Sequence, residues 1–183
     1  NGFTTNDITT YLQTVPKDAL EKMIWAEADK LGWFINTVTD PILANEIMVV
    51  KNEKQQGVDN RPYGHTNHVI SKNMYPESHP YSWTVIGSLA DLQASTLEDV
   101  KEFYNHWYVP NNTTLAIAGD IDIQQTKEWV KKYFAEIPVG KGVSDLTKTP
   151  GKLEEKRLLY HEDNFAKLPE LTLAWPTVES FHK

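Results

Sequence analysis

The sequence contains no cysteine, and this absence removes several classes of site at once. No disulfide, thiolate metal ligand or cysteine nucleophile is possible in its 183 residues. The sequence also has no apolar run long enough to span a bilayer. Lys and Arg number 18 against 25 Asp and Glu, and the resulting net charge of −7 gives no basic footprint for nucleic acid or an anionic membrane.

Complete catalytic signatures are absent as well. Neither H-E-x-x-H nor H-x-x-E-H occurs, and the sequence has no G-x-S-x-G nucleophile elbow, no Walker phosphate loop and no G-x-G-x-x-G. The residues that are present resemble those of an ordinary globular protein, with 40% hydrophobic and 23% charged. Six Trp, eight Tyr and six Phe supply material for a core. The length suggests one domain, or one domain plus part of another.

Helical and strand-like patterns are mixed along the chain, which predicts an α+β fold with helices packed on a mostly antiparallel sheet. Amphipathic spacing predicts helices over 17–34, 41–56, 65–74 and 123–137. A capping-box pattern, Ser95-x-x-Glu98, predicts the start of a further helix that ends before Pro110. Runs of β-branched and apolar residues predict strands over 8–15, 113–121, 156–161 and 171–175.

The ends of the chain indicate an internal piece of a longer protein. The sequence begins Asn1-Gly2-Phe3, without an initiator Met, and it closes just after a strand-like segment. Residues 138–152 are rich in Gly, Ser, Thr, Lys and Pro and are predicted to form a linker. We therefore expect a main portion over 1–137 and the truncated start of a following portion over 153–183.

Two acids in the segment EIMVVKNEKQQ, Glu46 and Glu53, lie seven residues apart on a predicted helix. Seven residues is about two helical turns, so both carboxylates lie on one face. That face is either simply solvated or holds a metal, since a His₂Glu set is common in catalytic zinc sites. The apolar residues between the two acids suggest that this helix is packed, and a mid-helix position would hold Glu53 rigidly.

Histidines offer a second arrangement of possible metal ligands. His65 and His68 are spaced i, i+3 and would share a helix face. No third ligand stands nearby in the sequence, so a separate metal-binding module at this pair remains an alternative to exposed polar histidines. His79 and His106 lie among aromatic residues and are expected to pack, whereas His161 and His182 have no neighbouring ligand pattern.

The first residues, NGFTTNDITTY, form the remaining unusual stretch. Asn, Gly, Asp and Thr precede a predicted strand, as they do in many polar loops. The functional alternative is an exposed strand edge that captures an extended peptide through its backbone groups.

Four segments follow each other in an informative order and spacing: NGFTTNDITTYLQTVP, EIMVVKNEKQQGVDNRPYG, YPESHPYSWTVIGSLADLQASTLEDVKEFYNHWYVPNNTTLAIAGDI and TKEWVKKYFAEIP. Together they resemble the pitrilysin/insulinase-type zinc metallopeptidases, the inverzincins of the peptidase M16 family. The resemblance covers nearly the whole chain, and its most specific part runs from Tyr75 to Ile121.

The resemblance implies specific roles for the residues that match. Glu53 stands where the family has its third zinc ligand, and Glu46 stands where a supporting acid shapes the site from behind the ligand. Asn1, Gly2, Phe3 and Thr4 match the edge strand to which a substrate peptide adds. Residues 1–137 then correspond to the central part of the catalytic αβ domain.

The same resemblance shows what this chain lacks. The family's H-x-x-E-H helix supplies two zinc-binding His and the Glu that acts as general base, and no residue here matches it. A single Glu does not hold zinc with useful affinity, so we expect no zinc in this chain alone and no activity. The expected partners are a peptide or protein substrate, the upstream H-x-x-E-H helix and the second half of the parent protein.

Three further expectations follow from the resemblance. An uncovered sheet edge makes self-association plausible. We expect a periplasmic or cell-envelope location in a bacterium, by analogy with other members of the family. The alternative function is a non-catalytic scaffold or partner subunit of the same fold, from which the upstream motif would distinguish a peptidase.

Overall fold

The computed structural model of the chain describes residues 1–144 and 152–178. Two short strands, β1 (Gly2–Thr4) and β2 (Thr9–Tyr11), pair into a small antiparallel hairpin. The helices are α1 (Leu20–Trp33), α2 (Asp40–Lys54), α3 (Thr66–Met74), α4 (Leu89–Ala94), α5 (Leu97–Trp107) and α6 (Ile123–Phe134). Helices dominate the described residues, so the predicted α+β class is matched only loosely.

Most of the predicted strands do not form in the described part of the chain. Only the first predicted strand is present, shortened to β2, while 113–121, 156–161 and 171–175 carry no strand. A strand exists only where a neighbouring backbone accepts and donates its hydrogen bonds, and no described segment pairs with these three. The prediction of strands at these positions is therefore wrong for the described residues.

The described residues form two compact units, of which the first contains 1–3, 10–44 and 95–144. Its core lies where α1 packs against α6. Gly32 allows this close approach, because a Cβ at that position would come within 3.2 Å of the Ile137 side chain. The buried apolar residues of this unit are Ile24, Ala28, Ile35, Val109 and Ile137.

The second unit contains 4–9, 45–94 and 152–178. Asp163 joins two of its segments, because its carboxylate accepts hydrogen bonds from the backbone N–H groups of Tyr63, Phe165 and Ala166. The Tyr63 hydroxyl also donates to the Leu168 carbonyl at 2.9 Å. Among the described residues of this unit, no apolar side chain is fully buried.

The capping box of α5 lies one residue later than the sequence pattern predicts. The Thr96 hydroxyl accepts from the Asp99 N–H at 3.2 Å, and the Asp99 carboxylate accepts from the Thr96 N–H at 2.8 Å. Both patterns, Ser95-x-x-Glu98 and Thr96-x-x-Asp99, have residue types suited to a cap. The structure selects the second, because α5 begins at Leu97.

Within the predicted linker, 138–152, residues 145–151 lie outside the described ranges, and the linker stays a prediction. None of the helices in the part of the chain that the structure describes has the length and apolarity needed to cross a membrane.

Candidate functional site

Glu46 and Glu53 both lie on α2, which begins at Asp40 with Pro41 in its first turn. The helix is continuous between the two acids, so the seven-residue spacing places them on one face. At 1.5 Å rise per residue their Cα atoms are about 10 Å apart along the axis. That separation suits one direct metal ligand and one supporting acid better than two ligands of one ion.

Glu53 lies in the last turn of α2, not in its middle as the sequence suggests. The helix ends at Lys54 and continues as a single wide turn over Gln55–Asp59. The carbonyl end of a helix carries partial negative charge, which disfavours a carboxylate and favours a cation. Lys51 and Lys54 in this turn offset part of that charge. The carbonyl end of the helix and the two lysines therefore act in opposite senses on a cation bound at Glu53.

The face that carries the two acids is open to solvent. Glu46 and Glu53 are both exposed, and no residue of α2 is buried. Met48 and Val49 between them are 59% and 49% exposed. The expectation of a packed helix is thus wrong for this chain, and the carboxylates are accessible to a ligand from outside it.

The histidine pair lies beside a third histidine that the sequence does not connect to it. The His65 and His161 rings are 5.4 Å apart, and His65 Nε2 lies 3.7 Å from an Asp59 carboxylate oxygen. Burial lowers the pKa of His68, and the nearby charges of Lys72 and Lys54 lower it further. Within the described residues, no group of three or more His, Asp or Glu is arranged to hold a metal ion.

The hairpin register determines which backbone groups of β1 are free. Asn1 and Leu12 exchange two hydrogen bonds, and the Thr5 N–H donates to the Ile8 carbonyl. By the two-residue repeat of a strand, Gly2 and Thr4 direct their N–H and C=O groups away from β2. The described sheet has no third strand on that side.

An aromatic cluster at the base of the hairpin was not found from the sequence. The Tyr11 and Tyr108 hydroxyls are 2.9 Å apart, and the Tyr108 ring stacks on Tyr104 at 4.4 Å. The Lys30 ammonium lies 4.7 Å from the centre of the Tyr11 ring. These residues are far apart in the chain, and no local pattern marks them as neighbours.

The sequence-predicted site residues fall into two sets in the structure. Glu46 and Glu53 share α2 in the second unit, while Asn1, Gly2 and Phe3 lie in the first unit. Thr4 ends β1, and its hydroxyl lies 3.1 Å from that of Thr9 in the second unit.

Comparison with known proteins shows which family this chain resembles. Residues 94–182 match the family described as "Peptidase M16 inactive domain". The chain is 34% identical over 137 residues to "Zinc protease PqqE" of Helicobacter pylori, covering 75% of this chain and 30% of that protein. It is 24% identical over 179 residues to "Insulin-degrading enzyme homolog" of Dictyostelium discoideum, covering 96% of this chain and 18% of the relative.

A solved structure agrees with the sequence matches. The crystal structure of a protease from Helicobacter pylori superposes with a TM-score of 0.72 at 30% identity, covering 80% of this chain and 35% of that one. The chain thus spans about a third or less of the length of these relatives. Taken with the ordered resemblance of its segments, these matches show that the chain belongs to the peptidase M16 family of pitrilysin-type proteins.

Proposed function

We propose that this chain is part of a zinc-dependent metalloendopeptidase, in which Glu53 is a zinc ligand and Glu46 supports it. The observation that carries the proposal is the pair of exposed carboxylates on one face of α2, with Glu53 at the carbonyl end of the helix. The zinc proteases and insulin-degrading enzyme homolog among its relatives support the same activity. The assigned site residues all precede residue 94, where the match to the inactive domain begins.

The donor atoms available here fit part of a zinc site but not a complete one. A carboxylate oxygen is a normal zinc ligand, yet a catalytic site takes three protein ligands. Because the described residues hold no such group, Glu53 would need two ligands from outside them. Zinc, when bound by a complete set, supplies an activated water for peptide hydrolysis. We expect this chain by itself to bind no catalytic zinc and to be inactive.

The exposed edge of β1, formed by Asn1, Gly2, Phe3 and Thr4, is the proposed peptide-binding element. An extended peptide can add to such an edge through main-chain hydrogen bonds. The outward groups belong to Gly2 and Thr4, so these two residues would bind the peptide backbone. Asn1 and Phe3 would hold β1 to β2.

Substitution of Glu53 tests the metal assignment. In a protein that joins this chain to its upstream H-x-x-E-H segment, Glu53→Gln should lower zinc affinity by more than about 100-fold, because it removes a ligand outright. Glu46→Gln should lower affinity less, by about 10–100-fold, as is typical for groups that support a ligand. Zinc affinity is measured by competition with a chromogenic chelator, alongside peptide cleavage.

Glu102→Gln is the matched control, since Glu102 is an exposed acid on α5 outside the proposed site. It should leave both zinc affinity and cleavage unchanged. Wild-type zinc binding and activity in Glu53→Gln would show that Glu53 is not a ligand.

A non-catalytic scaffold or partner subunit of the same fold is the second candidate. The description of residues 94–182 as an inactive domain favours it for that part of the chain. The encoded sequence upstream of Asn1 decides between the two: H-x-x-E-H indicates a peptidase, and its absence indicates a scaffold.

The cellular setting and partners are proposed from the relatives. Bacterial relatives suggest a bacterial origin. We place the parent protein in the periplasm or cell envelope, which cell fractionation would test. A peptide substrate and the remainder of the parent chain are the proposed partners.

A further inference from the structure

We propose that Tyr11 and Tyr108 are a positioning pair for the β1 edge, fixing the backbone of Gly2 so that its outward groups meet an incoming peptide in one register. The inference rests on the proposed peptide-binding role of β1 and adds two residues that touch neither metal nor substrate. Neither the ordered sequence resemblance nor the comparisons assign a role to them.

Gly2 lies directly against the Tyr11 side chain. The two residues are opposite each other in the hairpin, because Asn1 pairs with Leu12 one position further along. They form a non-hydrogen-bonded pair, the kind in which opposing residues approach most closely. A Cβ on Gly2 would come within 3.3 Å of Tyr11 Cδ1. The Tyr11 ring therefore sets how close the Gly2 backbone lies to β2.

The Tyr11 ring is itself held from two sides. Its hydroxyl is 2.9 Å from that of Tyr108, and the Lys30 ammonium lies 4.7 Å from its ring centre. That ammonium is also paired with the Glu27 carboxylate at 2.7 Å. Tyr108 connects these contacts to helix α5, since α5 ends at Trp107, directly before it.

Tyr108 is fixed in turn by Tyr104. The two rings stack with centres 4.4 Å apart and planes 10° from parallel. The Tyr104 hydroxyl donates to the Lys30 carbonyl of α1. Burial raises the pKa of Tyr104 to about 12, and burial together with the Tyr108 hydrogen bond raises the pKa of Tyr11. Both hydroxyls stay neutral at physiological pH, so this hydrogen-bonded arrangement does not depend on ordinary pH changes.

These contacts link the backbone of Gly2, whose N–H and C=O groups point away from β2, to helices α1 and α5. Gly2 rests on Tyr11, and Tyr11 is held by Tyr108 and Lys30. All three residues of β1 are exposed, so its outer edge is accessible. The cluster thus contacts β1 at Gly2, one of the two β1 residues whose backbone groups point away from β2.

Tyr108→Phe in the full chain tests the pair, because it removes one hydroxyl and keeps the stacked ring. The probe is a ten-residue, proline-free peptide of alternating Thr and Val with a terminal Lys, added while the backbone amides of Gly2 and Thr4 are followed by NMR. We expect about two- to tenfold weaker peptide binding and lower amide-exchange protection of Leu12, from the loss of one hydrogen bond.

Tyr133→Phe is the matched control, because its hydroxyl donates to Glu21 in the same unit, away from the hairpin. Each variant loses one hydroxyl hydrogen bond, but only Tyr108→Phe should weaken peptide binding and Leu12 protection. A second comparison uses Gly2→Ala, which presses on Tyr11, against Gly142→Ala, where a Cβ meets nothing within 4 Å. Only Gly2→Ala should weaken peptide binding.

The outcomes separate this inference from the proposed function. Unchanged Leu12 protection in Tyr108→Phe overturns the positioning pair, whether or not the peptide binds. Lower Leu12 protection with unchanged peptide affinity overturns it as well. A wild-type chain that binds no peptide overturns the peptide-binding role of β1. The difference in Leu12 protection between the wild type and Tyr108→Phe then shows whether the tyrosine pair holds β1 against β2.

Discussion

At the scale of single residues, Asp163 shows how one carboxylate organises a segment that has no regular secondary structure. It accepts from the N–H groups of Phe165 and Ala166 at 2.7 and 2.8 Å, and from Tyr63 at 2.9 Å. These bonds lower the pKa of Asp163, with those from Phe165 and Ala166 contributing most. Tyr63 has a positive φ of 59°, a conformation that such an external partner helps to maintain.

Asp163→Asn should loosen this segment in a pH-dependent way. The pKa in the folded chain lies below the ordinary value of 3.8, so the ionised carboxylate stabilises the folded form above that pH. This contribution disappears as the pH falls through the lowered pKa. The amide protection factors of Phe165 and Ala166 should therefore be higher in the wild type than in Asp163→Asn near neutral pH, and the difference should shrink as the pH falls through the lowered pKa.

Glu162→Gln provides the control for the Asp163 experiment, because it neutralises the neighbouring exposed acid. Its protection factors should match those of the wild type at neutral pH. An Asp163→Asn variant with wild-type protection near pH 7 would contradict the role of the carboxylate.

At the scale of elements, the start of α5 illustrates how two overlapping cap patterns are resolved. The reciprocal bonds between Thr96 and Asp99 satisfy backbone N–H groups that the first helical turn leaves without partners. They also lower the pKa of Asp99, through the hydrogen bonds from the Thr96 side chain and backbone. The N-terminus of α5 thus depends on the reciprocal bonds of Thr96 and Asp99.

Thr96→Ala should destabilise the chain by about 1 kcal/mol, the usual cost of losing a threonine cap. The change is measured as a lower denaturation midpoint in urea. Thr114→Ala alters an exposed threonine outside the helices and should shift the midpoint much less. Equal shifts for the two variants would mean that the capping box contributes no stability in solution.

At the scale of the whole molecule, the chain presents many large apolar side chains to solvent. The segment from 171 to 175 is the clearest case, since Leu171, Leu173 and Trp175 alternate along it and are 82%, 74% and 69% exposed. An apolar segment whose backbone is unpaired in the described sheet can form a strand with another chain. The net charge of −7 disfavours association of the whole chain, but residues 171–175 themselves carry no charge.

We expect the chain to self-associate in solution, and Leu173→Lys to reduce that association. A lysine at this position places charge in the middle of the apolar face, which edge strands use to prevent pairing. Sedimentation velocity over a range of protein concentrations would measure the change. Thr172→Lys adds the same charge at the neighbouring position, which points to the other face in an extended segment.

The two lysine variants distinguish a specific face from a general charge effect. Leu173→Lys should lower the average mass more than Thr172→Lys does. A wild-type chain that stays monomeric at all concentrations, or equal effects of both variants, would contradict pairing through the 171–175 face.

Much of the helical structure and the family could be predicted from the sequence, because both rest on local or ordered patterns. The periodic apolar positions predicted α1, α2, α3 and α6 within a few residues of their bounds. The spacing of Glu46 and Glu53 on one face likewise follows from helix geometry alone. The match to peptidase M16 proteins confirmed the family that the ordered segments indicated.

The tertiary structure decided what depends on contacts between distant residues. A strand forms only with a partner, so the apolar run at 113–121 does not become a strand among the described residues, although its composition favours one. Tyr11 and Tyr108 are 97 residues apart, and only the packing of the hairpin against the helices brings their hydroxyls together. The sequence determined which side chains could share a helix face, while tertiary packing determined which distant side chains meet, because those contacts depend on the path of the whole chain.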